Sequence, residues 1–195
     1  MLKKICGLTM VELLISMALV SMIMLGFYSF DSFSRYHVIN TDRRAKVQND
    51  LSYAIEYMSK NVQQSIGDFN NPPIKSYPAP SNQTGFQVRR DLRNPQIPSD
   101  LGNCTWVEFS LSGSSNITSG SETLTSRISG AFANTTMPAN PTAGFYVRIT
   151  DPGPDQGMAV DVGLNGLYNT SAASSVDNPK ASIKTRLISP SSSAN

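Results

Sequence analysis

Gly7-Leu8-Thr9-Met10-Val11-Glu12, followed by the apolar run from Leu13 to Phe30, is the stretch on which the fold turns. Lys3 and Lys4 precede it, and Glu12 is the only charge between Gly7 and Asp31. A helix that crosses a bilayer needs roughly 20 mostly apolar residues, and the run with its Leu8 lead-in has that length. A carboxylate in such a segment costs on the order of 2.5 to 3.5 kcal/mol at the helix centre and less toward the ends, so Glu12 is expected to serve a function. A secretory signal would be cut after its apolar core at a small-x-small site, and the one candidate there, Ser32-Phe33-Ser34, matches poorly.

The informative glycine lies ahead of the apolar run instead. Gly7-Leu8-Thr9-Met10-Val11-Glu12-Leu13-Leu14 resembles the type IV prepilin family residue by residue: a glycine before the cut, Thr9 second after it, Glu12 fifth and Leu13 next. The resemblance implies cleavage between Gly7 and Leu8 by a prepilin peptidase on the cytoplasmic face, N-methylation of Leu8, and retention of the apolar segment as an assembly helix. It also implies other pilin or pseudopilin subunits and an inner-membrane assembly platform as partners. The expected location is the bacterial inner membrane, crossed once, with the C-terminal domain in the periplasm or outside the membrane, and later a pilus or pseudopilus. Two positions depart from the family's major subunits. Leu8 stands where they usually carry phenylalanine, a change more frequent in minor subunits, and the second half of the run holds Gly26 but no proline.

Cleavage after Gly7 would create an α-amino group on Leu8, with a reference pKa near 7.7 to 8.0. In the assembly that the family implies, Glu12 of an incoming subunit meets this amine on a neighbour. Two unit charges 4 Å apart attract by about 1 kcal/mol in water and about 4 at an effective dielectric of 20. Pairing removes the penalty of an unpaired carboxylate in apolar surroundings. It also sets an axial register that apolar helices alone would leave free to slide. Orientation rests on the cleavage motif, because Arg35, Arg43, Arg44 and Lys46 on the far flank offset Lys3 and Lys4.

Working outward, all twelve prolines lie at or beyond Pro72, and Gly26 is the only glycine between Leu8 and Ile66. Such a breaker-free start predicts one helix from about Leu8 to Ile66, roughly 90 Å long at 1.5 Å per residue. Val47, Leu51, Ala54, Ile55, Met58, Val62 and Ile66 recur at steps of three and four, so the second half has one apolar stripe. Asp42 with Lys46 and Glu56 with Lys60 are acid-before-base pairs four apart, and Gly67 stands where a C-terminal cap belongs. The first half needs lipid or neighbouring helices, and the second needs a sheet laid across it.

The expected organisation is a leader at 1–7, a transmembrane and assembly half-helix at 8–30, an amphipathic half at 31–66, and a periplasmic β-rich domain at 67–195. Residues 68–100 read as a proline-rich irregular connection with a short strand at Phe86 to Arg89. Arg89, Arg90 and Arg93 read as a solvated charged turn, since no interleaved aromatics support nucleic-acid binding. Strands are expected at Thr105 to Leu111, with Val107, Phe109 and Leu111 on the buried face, at Thr123 to Ile128, and at Ser182 to Ile188. Phe145 to Ile149 is expected to pair with Met158 to Leu164. The Ser/Asn/Gly stretch from Ser112 to Ser121 reads as a surface loop. The fold class is therefore α+β and, by the resemblance, type IV pilin-like, with a long N-terminal helix packed on an antiparallel sheet. The order of elements, with a Trp-Val-Glu-Phe strand and a terminal Thr185-Arg186-Leu187 strand, also resembles J-type pseudopilins and W-type minor pilins.

Composition argues against an enzyme. A net charge of +2 over 195 residues suggests neither nucleic acid nor an acidic substrate. With His37 the only histidine, a Ser-His-Asp triad or a His-rich metal site has little to work with, so no catalytic residue and no cofactor is expected. Asp151, Asp155 and Asp161 could bind calcium, but their spacing matches no recognised calcium loop. Cys6 would leave with the leader, so Cys104 would be a lone cysteine, either a buried small hydrophobe or a thiol with an intermolecular partner. The reading is a minor pilin or pseudopilin that helps initiate or cap a type IV pilus or type II secretion filament. The alternative is a membrane-anchored binding module such as an adhesin or DNA-uptake pilin.

Overall fold

The computed structural model describes residues 9–67, 72–76, 85–90, 105–113, 115–129, 144–150 and 157–190. Residues 1–42 and 43–195 form two compact units. One unbroken α-helix, α1, covers Met10–Gln63, as the absence of breakers predicts. In the first unit every described position from Thr9 to Ile39 is exposed. The hydroxyls of Ser16, Ser21 and Ser29 donate to the carbonyls of Leu13, Met17 and Leu25 at 2.7–2.9 Å, so these polar groups turn back onto the helix. The outward surface is left almost wholly apolar. Asp31 pairs with Arg35 at 2.9 Å where the apolar run ends, and the Phe33 and His37 rings meet edge to face at 4.7 Å.

In the second unit the later part of α1 packs on the β-structure through the expected stripe. Val47, Leu51, Ala54, Met58 and Val62 are fully buried, with Ile55 half-buried beside them. Among the described residues the β-structure is two antiparallel sheets. The larger has the order β1 (Ile74–Ser76), β2 (Gly85–Arg90), β3 (Thr105–Ser112), β4 (Asn116–Ser119), β5 (Glu122–Thr125). The smaller has the order β6 (Phe145–Thr150), β7 (Ala159–Leu167), β8 (Lys180–Ile188). A bridge between Ile128 and Gly166 links the chain after β5 to β7. Phe145 pairs with Leu164 and Val147 with Val162, which puts Phe145, Val147, Val160, Val162 and Leu164 in one core with the helix stripe.

Several expectations need correction. Ile74–Ser76 is a strand inside the supposed irregular link, because Ile74 is an apolar side chain that pairs opposite Val88 and is buried. The stretch from Ser112 to Ser121 is not a surface loop. Gly113 and Gly120 take left-handed φ values of 66° and 59°, and between these turns β4 buries Ile117 completely. The strand expected to reach Ile128 ends at Thr125, after which Arg127 leaves the sheet to meet the helix.

The helix stops at Gln63, before Gly67, and closes without a glycine cap. Ser65 donates its N–H and its hydroxyl to the Val62 carbonyl, at 3.1 and 2.6 Å. Arg89 and Arg90, read as a solvated turn, instead clasp this end from β2. Arg89 is fully buried and its Nε donates to Ile66 O at 2.8 Å, while Arg90 reaches Asn61 Oδ1 at 3.1 Å and Gln64 Oε1 at 2.6 Å. Cations are favourable against the negative end of a helix dipole, which is why two arginines sit there. Arg93 lies outside the described residues.

Candidate functional site

The candidate site is the first turn of α1. Thr9 stands just before the helix and Glu12 in its opening turn, the Thr-x-x-Glu spacing of a capping box. The geometry is reciprocal. Glu12 N–H donates to Thr9 Oγ1 at 3.3 Å, while Glu12 Oε2 accepts from Thr9 N–H at 3.2 Å and from the Thr9 hydroxyl at 3.3 Å. Leu13 N–H donates to Thr9 O at 3.2 Å, which starts the intrahelical ladder. A carboxylate here also faces the positive end of the helix dipole. Glu12 is thus a ligand of its own backbone in the isolated chain.

Beside the neighbour's amine expected for Glu12, the structure adds a partner within its own turn, Thr9. The signal that identifies Thr9 was present in the four residues Thr9-Met10-Val11-Glu12, since a hydroxyl three positions before a carboxylate at a helix start is a cap. Gly7 and Leu8 lie outside the described residues, as do Cys104, Asp151 and Asp155.

The remaining candidates have structural partners. Asp161 spends both oxygens on Arg186, at 2.7 and 3.0 Å, and this hydrogen-bonded pair holds its carboxyl below the usual range. Its ion pair leaves little for a calcium ion, and no cluster of potential metal ligands occurs among the described residues. Arg127 pairs with Asp50 on the helix, donates to Tyr168 O at 2.6 Å, and lies 5.0 Å over the Tyr168 ring. Arg43 approaches the same ring at 5.3 Å.

The family described as the prokaryotic N-terminal methylation motif matches residues 2–28, the span that holds Gly7, Thr9, Glu12 and most of the apolar run. The head is a class III signal peptide. That signal is the one carried by type IV pilins and pseudopilins, and the layout of one long helix on antiparallel sheet is type IV pilin-like. The signal implies processing by prepilin peptidase and assembly with other pilins, and α1, long and apolar enough to cross a membrane, is consistent with a membrane-anchored pilin. No curated protein and no solved structure matches the chain.

Proposed function

We propose that the chain is cut between Gly7 and Leu8, methylated on the new Leu8 amine, and built as a non-enzymatic minor subunit into a pilus or secretion filament that it helps to initiate or cap. The observation that carries this is the signal over residues 2–28 joined to a helix whose apolar surface is exposed along its whole first unit. Such a surface is stable in lipid and equally stable among other helices of its kind, so it can pass from one to the other. In this reading the leader is residues 1–7, the membrane half of the helix 8–30, the amphipathic half 31–66, and the periplasmic domain 67–195.

Glu12 then has two successive partners. Before assembly the Thr9 N–H and hydroxyl satisfy the carboxylate, which lowers the cost of holding it near apolar surroundings. In the filament the amine of a neighbour's Leu8 offers a full opposite charge, a stronger partner at low dielectric than two neutral donors. Glu12→Ala is expected to leave cleavage intact and to reduce assembly in a filament or secretion assay; normal filaments from this variant would sink the pairing role. Replacing Gly7 is expected to block the cut, and a mature N-terminus still beginning at Leu8 would refute the processing assignment.

A further inference from the structure

Every Phe, Tyr or Trp before Tyr53 lies between Phe27 and Tyr36, at the end of the apolar run. At about 100° per residue, Phe27, Tyr28, Tyr36, Phe33 and Phe30 fall at roughly 0°, 100°, 180°, 240° and 300° around the axis, so the rings encircle α1. All five are exposed. The buried stripe from Val47 to Val62 shows what a one-sided partner does to the same helix: there the apolar residues keep to one face. Rings on every side call for surroundings that are alike on every side. Those surroundings must also tolerate charge, because Asp31 and Arg35 pair at 2.9 Å among the rings and both remain exposed, while the Phe33 ring meets His37 edge to face.

A lipid headgroup layer meets both demands. It is uniform about the helix axis, takes the apolar bodies of the rings, and leaves phenol tips and ion pairs in contact with water. A bundle of apolar helices meets only the first, since it would bury the Asp31–Arg35 pair at a desolvation cost. We propose that Phe27, Tyr28, Phe30, Phe33 and Tyr36 form an aromatic girdle that seats α1 in the headgroup layer remote from Glu12 and so fixes the depth of the helix in the bilayer. The inference rests on the membrane-anchored reading above. With the girdle at one interface, about 20 residues back from Phe30 fill the hydrocarbon, which begins near Val11 and leaves Glu12 just inside its edge. Sliding by one turn, about 5.4 Å, would carry Glu12 deep into the hydrocarbon or out of it, so the rings control how this carboxylate is presented.

The test places the full-length chain in phosphatidylcholine vesicles, with Trp106→Phe to keep a ring beneath Lys75 and one reporter tryptophan added at a time. Phe33→Trp retains a ring in the girdle, and Met22→Trp probes a position about 12 Å deeper than Phe30, near the midplane of a core roughly 30 Å thick. Quenching is compared between lipids brominated next to the headgroup and lipids brominated near the chain end. Phe33→Trp is expected to be quenched about twofold better by the first, and Met22→Trp about twofold better by the second. Adding Tyr28→Leu and Phe30→Leu keeps the run apolar but replaces rings that favour the interface with side chains that favour hydrocarbon. Phe33→Trp should then sink, and its preference for headgroup-side bromine should fall to about half. Exchanging the rings, Tyr28→Phe with Phe30→Tyr, should leave that preference unchanged. The proposal is overturned if Phe33→Trp is quenched best near the chain end or not at all, if the two leucines change nothing, or if the exchange costs as much as they do. Failure of the membrane-anchored reading looks different, because Met22→Trp would then escape quenching by either lipid.

Discussion

Gly166 lies where α1 crosses the smaller sheet, and a single methyl there tests how closely they pack. A Cβ on Gly166 would sit 3.1 Å from the Arg127 carbonyl oxygen, 3.1 Å from Val47 Cγ1 and 3.2 Å from Leu51 Cδ2. Ordinary contacts lie at 3.4–4 Å, so the neighbours must yield by a few tenths of an ångström. Val47 and Leu51 are fully buried, and the Arg127 carbonyl is held by the Leu167 N–H at 2.9 Å, so none of the three moves freely. Overpacking a core typically costs about 1–3 kcal/mol, and one methyl belongs toward the lower part of that range. Reduced freedom of the unfolded chain offsets about 0.4–1 kcal/mol, which leaves Gly166→Ala about 1 kcal/mol less stable. With an m-value of about 2 kcal/mol/M, the urea midpoint should fall by about 0.5 M. The assay is urea unfolding of the full chain in detergent, followed by fluorescence of the single tryptophan, Trp106, which is half-buried with Lys75 5.0 Å above its ring. Val47→Ala removes one of the obstructing methyls, so the double variant should lose at least about 0.5 kcal/mol less than the sum of the two single losses. A raised midpoint for Gly166→Ala, or simple additivity with Val47→Ala, would refute the close crossing.

Other perturbations probe the remaining contacts. Thr9→Ala should remove about 1 kcal/mol of capping and speed amide exchange at Glu12 in detergent, while Thr9→Ser should not; equal exchange in all three chains would show that the cap does not hold the first turn. Arg127→Lys keeps the charge but loses the guanidinium fork that joins Asp50, Tyr168 O and the Tyr168 ring, and should cost about 1 kcal/mol in the same urea assay. Asp161 is more acidic folded than unfolded, so its contribution is fully present above an unfolded pKa near 4 and fades as pH drops through the lower folded value. Asp161→Asn should therefore flatten the decline in stability below about pH 4 and lower stability slightly at neutral pH; an unchanged acid limb would count against the pair.

The parts legible in the sequence are those whose causes are local. The signal from Gly7 to Glu12, the apolar run, the breaker-free helix and the stripe from Val47 to Val62 depend on neighbours a few positions apart, and the longer strands announce themselves by alternation. Even the Thr9–Glu12 cap is written within four residues. Short strands escaped because three or four residues hold too few alternations to show a period: Ile74–Ser76 and Asn116–Ser119 each offer a single apolar residue, and only burial against distant partners makes them strands. The place of a charged side chain is hidden for the same reason. Arg89 looks like a solvent residue until the end of α1 arrives beside it with carbonyls to satisfy.

The sequence by itself determined the head, the long helix and the kind of surface that helix exposes. Tertiary structure alone decided that two sheets share the helix stripe, that Gly166 is the crossing point, and that Arg127 joins α1 to the chain beyond β7. Helix and signal follow from steric and polar preferences that act within one or two turns, whereas crossing points and ion pairs such as Asp50–Arg127 depend on residues dozens of positions apart that become neighbours only when the chain has folded.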